Sequence, residues 1–158
     1  LLDYLPRQVY GSNMIADTSL WGAGMHSMSA GDHLDAHLDH DIHPRLGLMR
    51  RTNAVLFLSE WSPEWGGDLL LLSSNLVHET CISPALGRMT LWRSTEEAYH
   101  AVAPLTCPEG VQRKSLAVYW YGMPAVQQAK RPRAQFLARP GEKPCPEKEE
   151  LRRKRLLV

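Results

Sequence analysis

Residues 31–44, GDHLDAHLDHDIHP, concentrate metal-binding side chains: four histidines and four aspartates lie within fourteen positions. The pattern His-x-Asp occurs twice in this segment, as His33/Asp35 and as His37/Asp39. Residues two positions apart on a β-strand point to the same face, so one imidazole and one carboxylate can reach the same ion. The segment therefore predicts a metal site. Strand alternation does not choose between the two pairs, because all four residues share one face.

Another ligand and an anion-binding pair lie farther along the chain. His100 follows His37 by 63 residues, and Arg113 and Ser115 follow His100 by 13 and 15 residues. Two histidines and one carboxylate on one face of an octahedron suit iron(II), whereas zinc prefers a four-coordinate site. An arginine and a hydroxyl on one strand face can hold a carboxylate. A dicarboxylic co-substrate, bound to the metal at one end and to Arg113 at the other, would use both features.

The remaining polar residues of segment 31–44 have a plainer interpretation. We predict that they form a polar rim and do not bind the metal: His33, Asp35, His40, Asp41 and His43. The alternative is a zinc site on a helix, because His37, His40 and His43 are spaced three residues apart. Pro44 and the nearby Gly47 argue against a long helix here, since proline disrupts a helix interior.

Short apolar or alternating runs separated by turn residues dominate the chain up to about Gly122, and they predict an all-β sandwich or jelly roll. The runs cover residues 21–29, 51–59, 68–73, 76–83, 88–94, 99–105 and 113–122. Alternation in the last run places five side chains on one face: Arg113, Ser115, Ala117, Tyr119 and Tyr121. Beyond it, residues 125–139 suggest a short helix or an extended wrap. Glu147–Leu157 reads as a terminal helix with acids first and bases last.

Composition narrows the class of protein. The 158 residues fit one domain, and 44% hydrophobic with 22% charged residues is typical of a globular chain. A net charge of +1 without a basic face makes a nucleic-acid partner unlikely, and the absence of an 18-residue apolar run predicts no membrane span. Three scattered cysteines favour a cytoplasmic or otherwise reducing intracellular compartment. The opening residue is Leu1, which suggests a part of a longer chain.

The ordered set of motifs resembles the iron(II)/2-oxoglutarate-dependent dioxygenases, nearest to the prolyl-hydroxylase-like branch, from about Met25 to Gly122. The set comprises His-x-Asp, the Gly66-Gly67 turn, His100 followed by Val102 and Pro104, and Arg-x-Ser at Arg113. The resemblance implies a single domain over residues 1–158 that is mainly β. It would form a double-stranded β-helix (jelly roll) over residues 25–122 with a few flanking helices, followed by a C-terminal wrap and helix over 123–158.

The resemblance also assigns roles. A glycine typically precedes the metal histidine of this family by six positions, so Gly31 implies that His37 and Asp39 bind iron(II) together with His100. Arg113 and Ser115 would hold 2-oxoglutarate. Three further residues are placed at the co-substrate pocket: Trp92, Tyr119 and Phe57. Phe57 stands where the branch often has a tyrosine whose hydroxyl contacts 2-oxoglutarate, which shifts more of the binding to Arg113 and Ser115.

The reaction implied by the resemblance is oxidative decarboxylation of 2-oxoglutarate with O2, coupled to hydroxylation of a substrate, with ascorbate as an optional reductant. The first expectation for the substrate is a protein or peptide side chain, prolyl above others. The alternatives are a free amino acid or another small molecule, and a jelly-roll binding module without catalysis. The sequence does not indicate an oligomeric state.

Overall fold

The computed structural model describes residues 4–11, 13–77, 79–124 and 131–156. Strands dominate these ranges, and the helices lie at the two ends of the chain. The elements are α1 Tyr4–Tyr10, β1 Ile15–Ala16, β2 Gly24–Met28, β3 Leu34–Leu38, β4 Met49–Phe57, a 3₁₀ turn Pro63–Trp65, β5 Leu69–Leu72, β6 Glu79–Ile82, β7 Met89–Arg93, β8 His100–Val102, β9 Arg113–Gly122, β10 Gln135–Phe136 and α2 Pro146–Leu156.

The strands form two antiparallel sheets, and the predicted mainly-β jelly roll is confirmed. Sheet I has the order β1-β9-β4-β7, with β2 also paired to β9, and sheet II has the order β10-β3-β8-β5-β6. Neighbours in each sheet are often distant in sequence, as for β3 and β8, so the sheets form only when the whole core assembles. Neither helix in the described ranges has the length and apolar character needed to cross a bilayer.

Two irregularities interrupt the pairing of the strands. Along β3 the register with β8 shifts between Leu34, which faces Val102, and His37, which faces His100. Along β4 the register with β9 shifts between Arg50 and Thr52. A β-bulge places an extra residue in one strand and changes which face the following side chains occupy. The assumption that alternation runs unbroken through residues 33–39 is therefore wrong.

The pattern predicted for the last long strand is present in β9. Its odd-numbered residues from Arg113 to Tyr121 are all buried, while most of the even-numbered ones are only partly buried or exposed. An apolar cluster of Ala36, Leu70, Leu72, Leu76 and Ala101 packs on sheet II. Four of the odd-numbered side chains of β9, from Arg113 to Tyr119, line one cavity together with Leu69 and Val102, so they face sheet II.

The C-terminal region is an extended wrap followed by a helix. Residues 131–139 run beside β3 and form the short strand β10, which pairs Gln135 with Leu38 and Phe136 with His37. The predicted helix 147–157 is present as Pro146–Leu156. The expectation of a helix or wrap over 125–130 lies outside the described residues.

The Gly66-Gly67 turn brings two distant segments together. Gly66 has φ +65°, and a β-carbon there would collide with the carbonyl oxygen of Pro104. A β-carbon on Gly67, at φ +73°, would lie 3.1 Å from Cδ of Arg113 and 3.1 Å from Cγ of Leu105. Only glycine allows both the left-handed backbone and this close approach. The turn therefore sets the distance between β5 and the segment that follows β8.

We predict that Gly66→Ala lowers the free energy of unfolding by about 3 kcal/mol, because it adds a backbone clash to an unfavourable φ. Gly87→Ala is the matched control: its φ is +78°, and no atom lies within 4 Å of its added β-carbon. For the control we expect the free energy of unfolding to fall by about 1 kcal/mol. Urea denaturation of both variants measures the difference, and equal losses would show that the contact with Pro104 is unimportant.

Candidate metal centre and co-substrate cavity

Three side chains at one end of the β3–β8 pair converge on one point. Nε2 of His37 lies 3.6 Å from Oδ1 of Asp39, and Nε2 of His100 lies 3.5 Å from Oδ2 of Asp39. One ligand atom from each residue lies within 4.8 Å of the others. Neighbouring ligands at about 2.1 Å from one octahedral ion are about 3 Å apart. Both histidine–aspartate distances exceed this spacing by about half an ångström.

Both histidines present the correct nitrogen to this point. Nδ1 of His37 lies 2.9 Å from the carbonyl oxygen of Asp35, and Nδ1 of His100 lies 3.0 Å from that of Ala98. A carbonyl oxygen only accepts, so each Nδ1 carries the proton and each Nε2 keeps its lone pair for a metal. Two imidazoles and one carboxylate on one face are the donor set of iron(II) oxygenases with three open positions. The residues present fit iron(II).

Asp39 is held by two residues of β4 that sequence reasoning did not single out. Its Oδ2 accepts hydrogen bonds from NH1 of Arg50 at 2.7 Å and from Nδ2 of Asn53 at 3.0 Å. Oδ1 receives neither of these bonds and faces His37, so the carboxylate has one oxygen for the protein and one for a metal. The Arg50 side chain is fully buried, and its guanidinium lies 3.6 Å above the ring of Tyr119.

Charges in the centre keep the ligands in their metal-binding protonation states. Burial by itself would raise the pKa of Asp39, but its close neighbour His37 and the charge of Arg50 outweigh it and hold that pKa well below its usual range. Burial, together with the neighbouring His37, lowers the pKa of His100 to about 4. At neutral pH, Asp39 is therefore an anion and His100 a neutral donor.

Arg113 lies buried beside the turn at Gly67. Its Nε donates to the carbonyl oxygen of Gly67 at 2.8 Å, and its NH1 lies 3.9 Å from Sδ of Met28, a weak acceptor. Burial lowers its pKa to about 10, against the opposing charge of Asp68, so it stays protonated at neutral pH. The NH2 group has no hydrogen-bond acceptor among the described residues. A buried cation with unused donors is suited to hold a carboxylate.

The metal centre and Arg113 line one cavity of about 390 Å³ between the two sheets. Ser115 lies in the same wall, two residues from Arg113 along β9, and Trp92 and Tyr119 also line the cavity. Burial raises the pKa of Tyr119 to about 12, so its hydroxyl is neutral and donates to the carbonyl oxygen of Gly22 at 2.9 Å. The structure thus brings together all but one of the residues that the sequence placed at the site.

Phe57 is the exception. Its side chain is completely buried and is not part of the cavity wall. The guanidinium carbon of Arg113 lies 4.9 Å from the centre of its ring. Phe57 therefore packs against the Arg113 guanidinium in cation–π geometry without reaching the cavity. It stands at the position where the prolyl-hydroxylase branch often has a tyrosine.

The remaining polar residues of segment 31–44 have separate partners. Asp35 turns away from the metal centre and binds Nζ of Lys148 at 2.9 Å, while His33 stays at the cavity mouth. Asp41 accepts a hydrogen bond from the backbone N–H of Arg131 at 2.6 Å. Nε2 of His43 faces Oδ2 of Asp17 at 3.5 Å. These residues lie outside any helix, so the alternative of a helical zinc site is wrong.

His40 belongs to the support of Asp39. Its ring contacts NH2 of Arg50, and its Nε2 lies 3.3 Å from the hydroxyl of Tyr121. Burial and the charge of Arg50 lower the pKa of His40 to about 3, so the ring is neutral and accepts a hydrogen bond from the arginine. The sequence contains one signal for the contribution of Arg50 and Asn53 to the site, namely that residues 50–53 form a polar run in an otherwise apolar strand. Regular alternation would nevertheless have placed Arg50 and Asn53 on opposite faces.

Comparisons with known proteins agree with this geometry. A model of the 2OG-Fe(II) oxygenase superfamily matches residues 23–122, so the chain belongs to this superfamily. Its members use iron(II), 2-oxoglutarate and O2. No curated protein matches the chain.

Three solved structures with a similar fold are prolyl hydroxylases. A prolyl 4-hydroxylase from Phytophthora capsici is 22% identical with a TM-score of 0.55, over 77% of this chain and 39% of that one. A Trichoplax adhaerens prolyl hydroxylase, in complex with a hypoxia-inducible-factor peptide fragment, is 20% identical with a TM-score of 0.50, over 61% and 41%. A Pseudomonas putida prolyl-4-hydroxylase is 28% identical with a TM-score of 0.48, over 64% and 50%. The chain spans half or less of the length of these proteins.

We predict that His37→Ala removes high-affinity binding of divalent metal, whereas His33→Ala changes the dissociation constant less than twofold. His37 provides one of three converging ligands, and His33 lies at the cavity mouth with its side chain 45% exposed. Calorimetric titration of the apoprotein with Mn(II) measures both constants. The opposite result would identify His33/Asp35 as the metal-binding pair.

We predict that Arg50→Lys weakens Mn(II) binding by about tenfold or more, as loss of a residue that orients a metal ligand usually does. Lysine keeps the charge but not the fork of donors that reaches both Asp39 and His40. Arg51→Lys is the matched control, because that side chain reaches the carbonyl oxygen of Met123, away from the centre. Equal affinities in the two variants would contradict a positioning role for Arg50.

Proposed function

We propose that this chain is an iron(II)- and 2-oxoglutarate-dependent hydroxylase that acts on a prolyl residue of a peptide or protein. One observation carries the proposal: His37, Asp39 and His100 converge in the same cavity in which Arg113 and Ser115 present a cation and a hydroxyl. A metal site alone would serve many functions, whereas a metal site with a buried carboxylate-binding group at a distance suits a dicarboxylic co-substrate.

The protein residues act by holding and orienting. His37, Asp39 and His100 would hold iron(II) and leave coordination positions open for the co-substrate and O2. When bound, iron(II) supplies the activation of O2 that drives decarboxylation of 2-oxoglutarate and hydroxylation of the substrate. Arg113 and Ser115 would hold the far carboxylate, so the keto-acid end points to the metal. The buried charge of Arg113 interacts strongly with that carboxylate because little water screens it.

Much of the cavity wall is apolar, which limits the water beside the reacting groups. Residues of both sheets contribute to this wall, including Val55, Leu69, Trp92 and Val102. Exclusion of water strengthens electrostatic contacts inside a site and prevents side reactions of activated species. The neutral hydroxyl of Tyr119 is occupied by its bond to Gly22, so this phenol adds no charge near the metal.

The choice of a prolyl substrate is supported by the motif resemblance and by what the similar structures are. The Trichoplax adhaerens protein was solved with a peptide fragment, and that protein and the one from Phytophthora capsici are both prolyl hydroxylases. A reducing intracellular location is part of the same proposal, supported by three cysteines that are scattered along the sequence, Cys81, Cys107 and Cys145.

We predict that anaerobic protein gives a weak visible charge-transfer band only when Fe(II) and 2-oxoglutarate are both present. With O2 and a library of short proline-containing peptides, succinate should form and one peptide should gain the mass of one oxygen atom. Succinate formation restricted to free amino acids would instead support a small-molecule hydroxylase. Absence of the band, and of succinate with every substrate, would rule out the proposed activity.

The residue that holds the co-substrate is tested by two neighbouring substitutions. Arg113→Gln should raise the KM for 2-oxoglutarate about 100-fold, because losing one partner of a buried charge pair costs about 2–5 kcal/mol. Lys114→Gln is the control, since Lys114 is exposed on the other face of β9. The control should change this KM less than twofold.

A further inference from the structure

The C-terminal strap, defined as residues 131–156, adds a wall to the cavity from outside the region shared with the superfamily. The superfamily model ends at residue 122. Ala134 and Phe136 of the strap nevertheless line the same cavity as the metal centre. The ring of Phe136 is stacked on His37, with 5.0 Å between ring centres and 21° between ring planes. The strap therefore shapes the space directly beside a metal ligand.

The strap is fastened to β3 on both sides of the metal ligands. On one side, the backbone N–H of Asp41 donates to the carbonyl oxygen of Arg131 at 2.8 Å, and the N–H of Arg131 donates to Oδ1 of Asp41 at 2.6 Å. The guanidinium of Arg131 also reaches the carbonyl oxygen of Asp39 at 2.5 Å. These contacts fix the start of the strap two residues beyond the ligand Asp39.

On the other side, α2 holds Asp35, two residues before the ligand His37. Nζ of Lys148 lies 2.9 Å from Oδ1 of Asp35, and NH2 of Arg152 lies 3.7 Å from its Oδ2. Glu142 binds the same arginine at 2.7 Å, so the strap also closes on itself. Between the two anchors, the N–H of Leu137 donates to the carbonyl oxygen of Ala36 at 2.8 Å. Phe136 is thus held in place over His37.

The chemistry of this wall indicates what it contacts. Arg113 and Ser115, which the proposed function assigns to the co-substrate, come from sheet I, whereas Phe136 comes from the edge strand of sheet II. An aromatic face next to the metal favours an apolar, compact group and disfavours the bare charges of a free amino acid. A pyrrolidine ring within a peptide has these properties.

We propose that Phe136 is a specificity residue that contacts the substrate side chain at the metal centre, and that Asp35 and Asp41 anchor the strap that positions it. This inference rests on the proposed function and names the protein surface that selects a peptidyl residue. It also gives the two aspartates that flank His37 and Asp39 a role, which metal binding alone does not.

The role of Phe136 is tested by comparing two Michaelis constants. Phe136→Ala should raise the KM for the best proline-containing peptide at least tenfold more than it raises the KM for 2-oxoglutarate. Phe136→Tyr should restore the peptide KM to within about threefold of the wild type, and Phe136→Leu serves if the alanine variant does not fold. A parallel rise of both constants, or no rise in either, would overturn the proposal, because the residue would then only support His37.

The anchoring is tested without turnover, by hydrogen exchange of the Leu137 amide in the apoprotein. Arg152→Ala should speed this exchange at least tenfold, whereas Arg153→Ala should not change it. Arg153 is the matched control because, within the described part of the chain, its ion pair is with Glu150 on the same helix, at 2.8 Å, and its side chain is 65% exposed. Equal exchange in the two variants would overturn the anchoring. Since this measurement needs neither iron nor peptide, it separates failure of the inference from failure of the proposed function.

Discussion

The division of the Asp39 carboxylate between two sets of partners is the interaction on which the site depends. A buried carboxylate loses several kcal/mol of hydration, which it recovers only if its lone pairs are well satisfied. Arg50 and Asn53 bind Oδ2, which also lies 3.5 Å from Nε2 of His100, and His37 faces Oδ1. Arg50 is in turn stabilised by a cation–π contact with the ring of Tyr119 and by a hydrogen bond to the neutral ring of His40. The metal centre is therefore one side of a buried polar network that spans both sheets.

The two bulges allow this network to exist. In β4 the shift between Arg50 and Thr52 lets Arg50 and Asn53, three positions apart, reach the same carboxylate. In β3 the shift before His37 turns Asp35 outward while His37 turns inward. Bulges often occur next to active sites, where they redirect a side chain at the cost of one ladder interaction. The local loss of regular pairing is thus tied to the placement of the ligands.

The dense polar segment 31–44 serves at least three purposes. His37 and Asp39 belong to the metal centre, and His40 supports Arg50 behind it. Asp35 and Asp41 hold the C-terminal strap, and His43 faces Asp17 near the start of the chain. A cluster of ionisable residues in one stretch of sequence is therefore divided among partners from four parts of the fold. Only two residues of this segment converge on the metal point, and the others contact different parts of the fold.

Local patterns by themselves determined the strands, the face of β9 that carries Arg113 and Ser115, and the set of residues that can bind a metal. Alternation and turn residues act over a few positions, so the sequence displays them directly. The choice of His37 over His33 came from the family resemblance, through the position of Gly31. The tertiary structure decided what alternation cannot express: the bulges that give Arg50 and Asn53 to Asp39, the burial of Phe57 behind Arg113, and the placement of Phe136 on His37. These features depend on contacts between residues 11 to about 100 positions apart, and such contacts exist only after both sheets and the C-terminal strap have packed together.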